Sequence, residues 1–156
     1  MEKPPINEKL HEIEKEVSEF EERYINDEGG PGIEEAIKPL IISLRLHGFN
    51  TTGSCGGHEH NDQEFEHPYV VITAEWYDSN NDPEDWDKAD EEWKNKIDKL
   101  QKFIDLYFES INSLNNNKIS IKTASRGWMS IQFKDDSLSM SQKLVKDFSD
   151  YLLLIN

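Results

Sequence analysis

Leu10, Ile13, Val17, Phe20 and Tyr24 recur at intervals of 3-4-3-4, which lays one apolar stripe along an otherwise charged helix over residues 7–27. The run DEGGPG at 27–32 stops it. Ile33, Ile37, Leu40, Ile41 and Leu44 predict a second helix that ends at Gly48, with Pro39 forcing either a kink or a start near Lys38. PYVVITAEW at 68–76 is rich in β-branched and aromatic residues and predicts a strand with one buried face; Thr51 to Ser54 predicts a weaker strand before it.

Trp93, Ile97, Leu100, Ile104, Tyr107, Ile111 and Leu114 then repeat at 4-3-4-3-4-3, the mark of a long helix, ended by the Asn run at 115–117. KISIKTASRGWMSIQFK divides at Ser125-Arg126-Gly127 into alternating halves, a hairpin pattern. Ser139 with Gln142 offers a capping box for a last helix carrying Leu144, Val145, Phe148, Leu152 and Ile155. The predicted order is α-α-β-β-α-β-β-α: an α+β fold with a small antiparallel sheet covered by helices on one face, and a loose β-β-α duplication within 49–155. A chain of 156 residues is expected to form a single domain, with an N-terminal helix and Gly-rich linker over 1–32 and a core over 33–156 that carries an acidic excursion at 77–92.

Charge narrows the partners. Lys and Arg number 17 against 32 Asp and Glu, a formal net charge of -15, and this argues against nucleic acid and anionic membrane surfaces. No window approaches the roughly 18 apolar residues of a membrane span, and a lone cysteine makes no internal disulfide, so a reducing cytoplasm is the expected compartment. The same acidity, strongest in the first helix and around 75–92, suits a basic protein partner, which is the alternative to a small-molecule site: a non-enzymatic inhibitor or immunity-like factor. The heptad-like spacing of 7–27 also allows pairing between subunits in a homo-oligomer.

The chemistry gathers in TTGSCGGHEH at 51–60. Glycines 53, 56 and 57 remove bulk around Cys55, so backbone N–H groups near Ser54, Gly56 and Gly57 can converge on a thiolate or a bound anion. His58 is placed to act as base or cationic neighbour to Cys55, a pair suited to thiol-based hydrolysis or group transfer. Cys55, His58, His60 and His67 are equally a soft and imidazole donor set for zinc, with Asp62 and Glu64 as spare carboxylates, and would support metal-assisted hydrolysis. Arg126 at the predicted hairpin tip is a candidate anion anchor, and Trp128 beside it, with Trp76 and Trp86, a candidate pocket wall. His47 falls near a helix C-terminus.

Asp78, Asn80 and Asp82 match the first ligand positions of an EF-hand loop, but Pro83 stands where the loop needs glycine and Ala89 where it needs a bidentate Glu. The excursion therefore reads as a solvated face, with Asp85 or Asp87 near the start of the next helix. Leu46, Gly48, Phe49, Thr51, Ser54, Cys55, Gly57 and His58, followed by Pro68, Tyr69 and Val70, resemble a family of uncharacterised bacterial and phage proteins. Their shared segment is GF-x-T-x-x-SC-x-GH, followed by a Pro-Tyr strand. The resemblance spans residues 40–75 and the hairpin around Arg126, and it implies no activity.

Overall fold

In the computed structural model, helices α1 (Ile6–Glu28) and α2 (Lys38–Leu46) lead into strand β1 (Thr51–Cys55). The short strands β2 (His58–Glu59) and β3 (Phe65–Glu66), strand β4 (Tyr69–Thr73) and helix α3 (Trp86–Ser110) follow, then β5 (Ile119–Thr123), β6 (Trp128–Phe133) and helix α4 (Leu138–Leu154). The structure describes residues 6–28, 35–59, 65–77, 79, 81–113 and 116–155. The observed order is thus the predicted α+β order with one addition, the β2–β3 pair. Two-residue strands carry no period from which to read them.

Local chemistry explains the boundaries. Pro39 sits in the first turn of α2, where its missing N–H is unneeded, so the helix begins at Lys38 rather than kinking. The Asp85 carboxylate accepts from the Lys88 N–H at 3.2 Å and caps α3. The cap of α4 is Ser137, whose hydroxyl accepts from the Met140 N–H at 3.1 Å, and not the predicted Ser139. Gln142, the expected partner in that capping box, is used elsewhere, as the site shows.

The main sheet is antiparallel throughout, in the order β1-β4-β6-β5, so the second strand of each β-β-α unit lies at the centre and the first at an edge. Cross-strand rows alternate between its faces. Val70, Ile72, Met129, Ile131 and Phe133 point to one face and join Leu40, Leu44, Leu100, Ile104, Val145 and Phe148 of the helices in a single apolar core, to which Ile13 and Val17 of α1 also belong. On the other face Tyr69, Ser120 and Lys122 are exposed. The helices therefore cover one face, as the alternation predicts. Burying side chains of this size is worth about 1.5–3 kcal/mol each, the main force assembling the layers.

One irregularity decides where the loop chemistry points. Thr51 pairs with Ile72 and Gly53 with Val71, so Thr52 is an extra residue in β1, a β-bulge. Thr51 stays in the core-facing row of Ile72 and Met129, where it is buried. Beyond the bulge the parity reverses, and Cys55 falls in the opposite row with Tyr69, Gln132 and Ser120. Arg45 fixes the bulge from outside: its guanidinium donates to Thr51 Oγ1 at 2.7 Å and to the Thr51 carbonyl at 2.8 Å.

Among the described residues no helix is long and apolar enough to cross a membrane.

Candidate metal centre

Cys55 is the last residue of β1, and the chain turns immediately through Gly56 and Gly57 into β2. Gly57 has φ +92, and a Cβ there would lie 2.4 Å from Leu138 Cδ1 and 2.8 Å from the Glu66 carbonyl oxygen. Only glycine allows this backbone and this approach to β3. The Gly57 N–H donates to Cys55 Sγ at 3.4 Å. Gln142 of α4 donates its side-chain amide to the Gly56 carbonyl at 2.9 Å, which ties the turn to the helical layer.

The β2–β3 ladder then completes the site. His58 is paired directly with Glu66 across it, which brings both side chains to one face. The ligand atoms of Cys55, His58 and Glu66 all lie within 4.8 Å of one another. Cys55 is buried, at 8% exposure, while His58 and Glu66 reach solvent. Ligands around a tetrahedral zinc stand about 3.3–3.8 Å apart, given metal–ligand distances of about 2.0–2.3 Å. The three ligand atoms lie close to that spacing, and the group is one that could hold a metal ion. Soft sulfur, imidazole and carboxylate donors in a set of three match the borderline preference of zinc and leave a coordination position open.

The sequence-predicted residues divide between the two ends of the sheet. Cys55, His58, Gly56 and Gly57 come together at the end marked by Tyr69 and Gln132, and Ser54 precedes them, half-buried in the core-facing row of Val70. His67 does not join the group. It is half-buried, its ring edge-on to Phe65 with centroids 4.4 Å apart, and its Nδ1 is buried with no hydrogen-bond partner among the described residues. Burial, and after it the charge of Lys134, holds its pKa below the ordinary value. His60, Asp62 and Glu64 lie outside the described residues, as do Asp78 and Asn80 of the acidic excursion. His47 is the C-cap residue of α2, at a helix C-terminus as expected, and its Nε2 meets the carbonyl of Leu152 in the last turn of α4 at 2.6 Å.

Arg126 and Trp128 stand at the other end. Trp128 pairs with Thr73, the residue of β4 farthest from Tyr69, so about 13 Å of strand separates them from Cys55 at about 3.3 Å per residue. Arg126 is also engaged: its Nε is 3.1 Å from Asp90 Oδ1, and its guanidinium lies 4.7 Å from the Trp86 ring centroid. The hairpin tip therefore anchors onto α3, and the expected meeting of Arg126 with the cysteine loop does not occur.

Glu66 is the site residue that sequence reasoning misses. Its only signal is its place opposite His58 in a ladder too short to show alternation. Compared with protein-family models, with curated proteins and with solved structures, the chain matches none.

Proposed function

We propose that the protein holds a zinc ion on Cys55, His58 and Glu66 and uses the open coordination position for metal-assisted hydrolysis of a small substrate. One observation carries this reading: a buried sulfur, an imidazole and a carboxylate from three successive strands lie within 4.8 Å of one another. A set of three protein ligands with a free position is the pattern of catalytic rather than structural zinc. A bound zinc supplies a hydroxide near neutral pH by lowering the pKa of its water to about 7. The chain's own residues do the rest. The Gly57 N–H stabilises the thiolate ligand, the Gly56–Gln142 bond fixes the turn, and the exposed His58 and Glu66 leave the position reachable from solvent.

A second reading has its own support. The Gly57 N–H on Sγ and the nearby His58 also suit a thiolate nucleophile that attacks an acyl carbon and displaces its leaving group, with His58 taking the thiol proton and giving it to the departing group. The 8% exposure of Cys55 favours the metal reading, because a ligand sulfur needs no direct access to substrate.

The test is elemental analysis of untagged protein, followed by cobalt(II) replacement. The metal reading expects one equivalent of metal, a sulfur-to-cobalt charge-transfer band, and loss of both in Cys55→Ser, with weakened binding in Glu66→Gln. Metal-free protein whose Cys55 is alkylated rapidly below the thiol range of about 8.5 would favour the nucleophile instead. Metal-free protein with an inert thiol would overturn both.

A further inference from the structure

A second concavity lies at the far end of the sheet. Where β4 runs out at Thr73 the chain turns through Ala74 to Tyr77 beside the first half of α3, and the segment Gly48–Asn50 closes the third side. The cleft between them has a volume of 260 Å³, and Phe49, Glu75, Trp76, Glu92, Trp93 and Lys96 give it its chemistry.

Its aromatic wall is held in place. Trp76 meets Trp86 edge-on at 5.2 Å, and its ring covers Gly127 so closely that a Cβ there would come within 2.6 Å of it. Trp93 packs against the apolar core. The charges are less evenly matched. Glu75 and Glu92 are exposed and make no ion pair among the described residues. The one cation lining the cleft is already engaged: Lys96 Nζ donates to the Gly48 carbonyl at 2.7 Å and lies 5.4 Å from the centroid of Phe49. Two carboxylates against one ammonium thus line an aromatic cleft in a chain of net charge -15.

We infer that this cleft binds a small organic cation whose charge is spread over alkyl groups, a quaternary or fully methylated ammonium. Such an ion is weakly hydrated, so it enters an aromatic cleft at little desolvation cost and gains from ring faces and nearby carboxylates together. A compact, strongly hydrated cation would need a close shell of oxygen acceptors that tryptophan rings do not supply. An anion would meet the Glu75 and Glu92 carboxylates, and a neutral ligand would leave both without a role. The molecule already uses this chemistry internally, where the dispersed guanidinium charge of Arg126 rests between the Trp86 ring and the Asp90 carboxylate on the same helix α3.

The inference is independent of the metal centre and is tested without it. Tetramethylammonium chloride is titrated into the full chain at low salt, with binding read by calorimetry and by tryptophan emission, beside tert-butyl alcohol as a neutral probe of similar shape. Saturable tetramethylammonium binding is expected, with the alcohol weaker by about tenfold or more, and a loss of about tenfold in the Glu75→Gln, Glu92→Gln double variant. Both replaced side chains are exposed, so the variant is expected to keep the parent circular dichroism; if it does not, each single replacement is measured instead. Equal binding of the two probes, binding indifferent to the carboxylates, or none at all would overturn the inference.

Discussion

Gln142, in the first turns of α4, donates its side-chain amide to the carbonyl of Gly56 across 86 positions of sequence, at 2.9 Å. The bond joins the helical layer to the turn that aims Cys55, and its worth lies in position rather than in direct contact with the ligand atoms. On the proposed zinc site, replacement by alanine is expected to weaken metal binding by about tenfold, the lower end of the range for residues that support ligands from outside. Loss of this hydrogen bond should also lower stability by about 1 kcal/mol. Chelator competition and urea denaturation measure the two effects separately, and an unchanged metal affinity would remove the positioning role.

Gly57→Ala tests the turn itself. At φ +92, with the Glu66 carbonyl 2.8 Å from the site of the new methyl group, the backbone of one strand or the other must move. A loss of about 2–3 kcal/mol is expected from the strained conformation and the clash together. A fall in the urea midpoint accompanied by loss of metal is the predicted result. Gly53→Ala is the control, because there the nearest atoms, on Val71, are at an ordinary 3.6 Å.

Arg126→Ala separates the two ends of the sheet. The Arg126–Asp90 pair is about half exposed on both sides, so its removal with the Trp86 contact should cost no more than about 1 kcal/mol. Metal affinity should not change, since about 13 Å of strand intervenes. A fall in metal affinity without unfolding would mean that the guanidinium acts on the centre after all.

The helix caps give a prediction about stability alone. Ser137→Ala and Asp85→Ala each remove the acceptor for a backbone N–H at the start of a helix and should each cost about 1 kcal/mol. Ser139→Ala should cost less, since the cap belongs to Ser137. Thermal or urea unfolding of the three variants decides between them.

Tyr107 makes a pH-dependent prediction. Burial, and after it the charge of Asp147, raises the phenol pKa above 10.0, so the folded chain holds this proton more tightly than the unfolded one. The associated stability is intact below about pH 10 and is lost as pH rises from there through the higher folded value. Tyr107→Phe should flatten that alkaline decline in a series of urea midpoints. If the decline is the same in the variant, the phenol is not its source.

Much of the fold is legible in the sequence because long elements repeat their apolar spacing many times. The stripe from Trp93 gives α3, the β-branched and aromatic run at Tyr69–Thr73 gives one central strand, and the alternation in Trp128–Phe133 gives the other and the face it buries. The site is only half legible. Cys55 and His58 stand out by residue type, whereas Glu66 becomes a partner through a ladder of two residues per strand. Gln142 carries a capping signature that the structure uses for a different bond. The separation of Arg126 from Cys55 follows from strand order, which local pattern does not contain.

The extra residue at Thr52 has a wider meaning. Parity along β1 makes the location of the sulfur a matter of counting: removing one residue there, with every side chain of the centre intact, would send Cys55 into the oily interior. Chemistry at this end of the molecule is written in the arithmetic of an edge strand as much as in its alphabet, and length changes there are as consequential as substitutions.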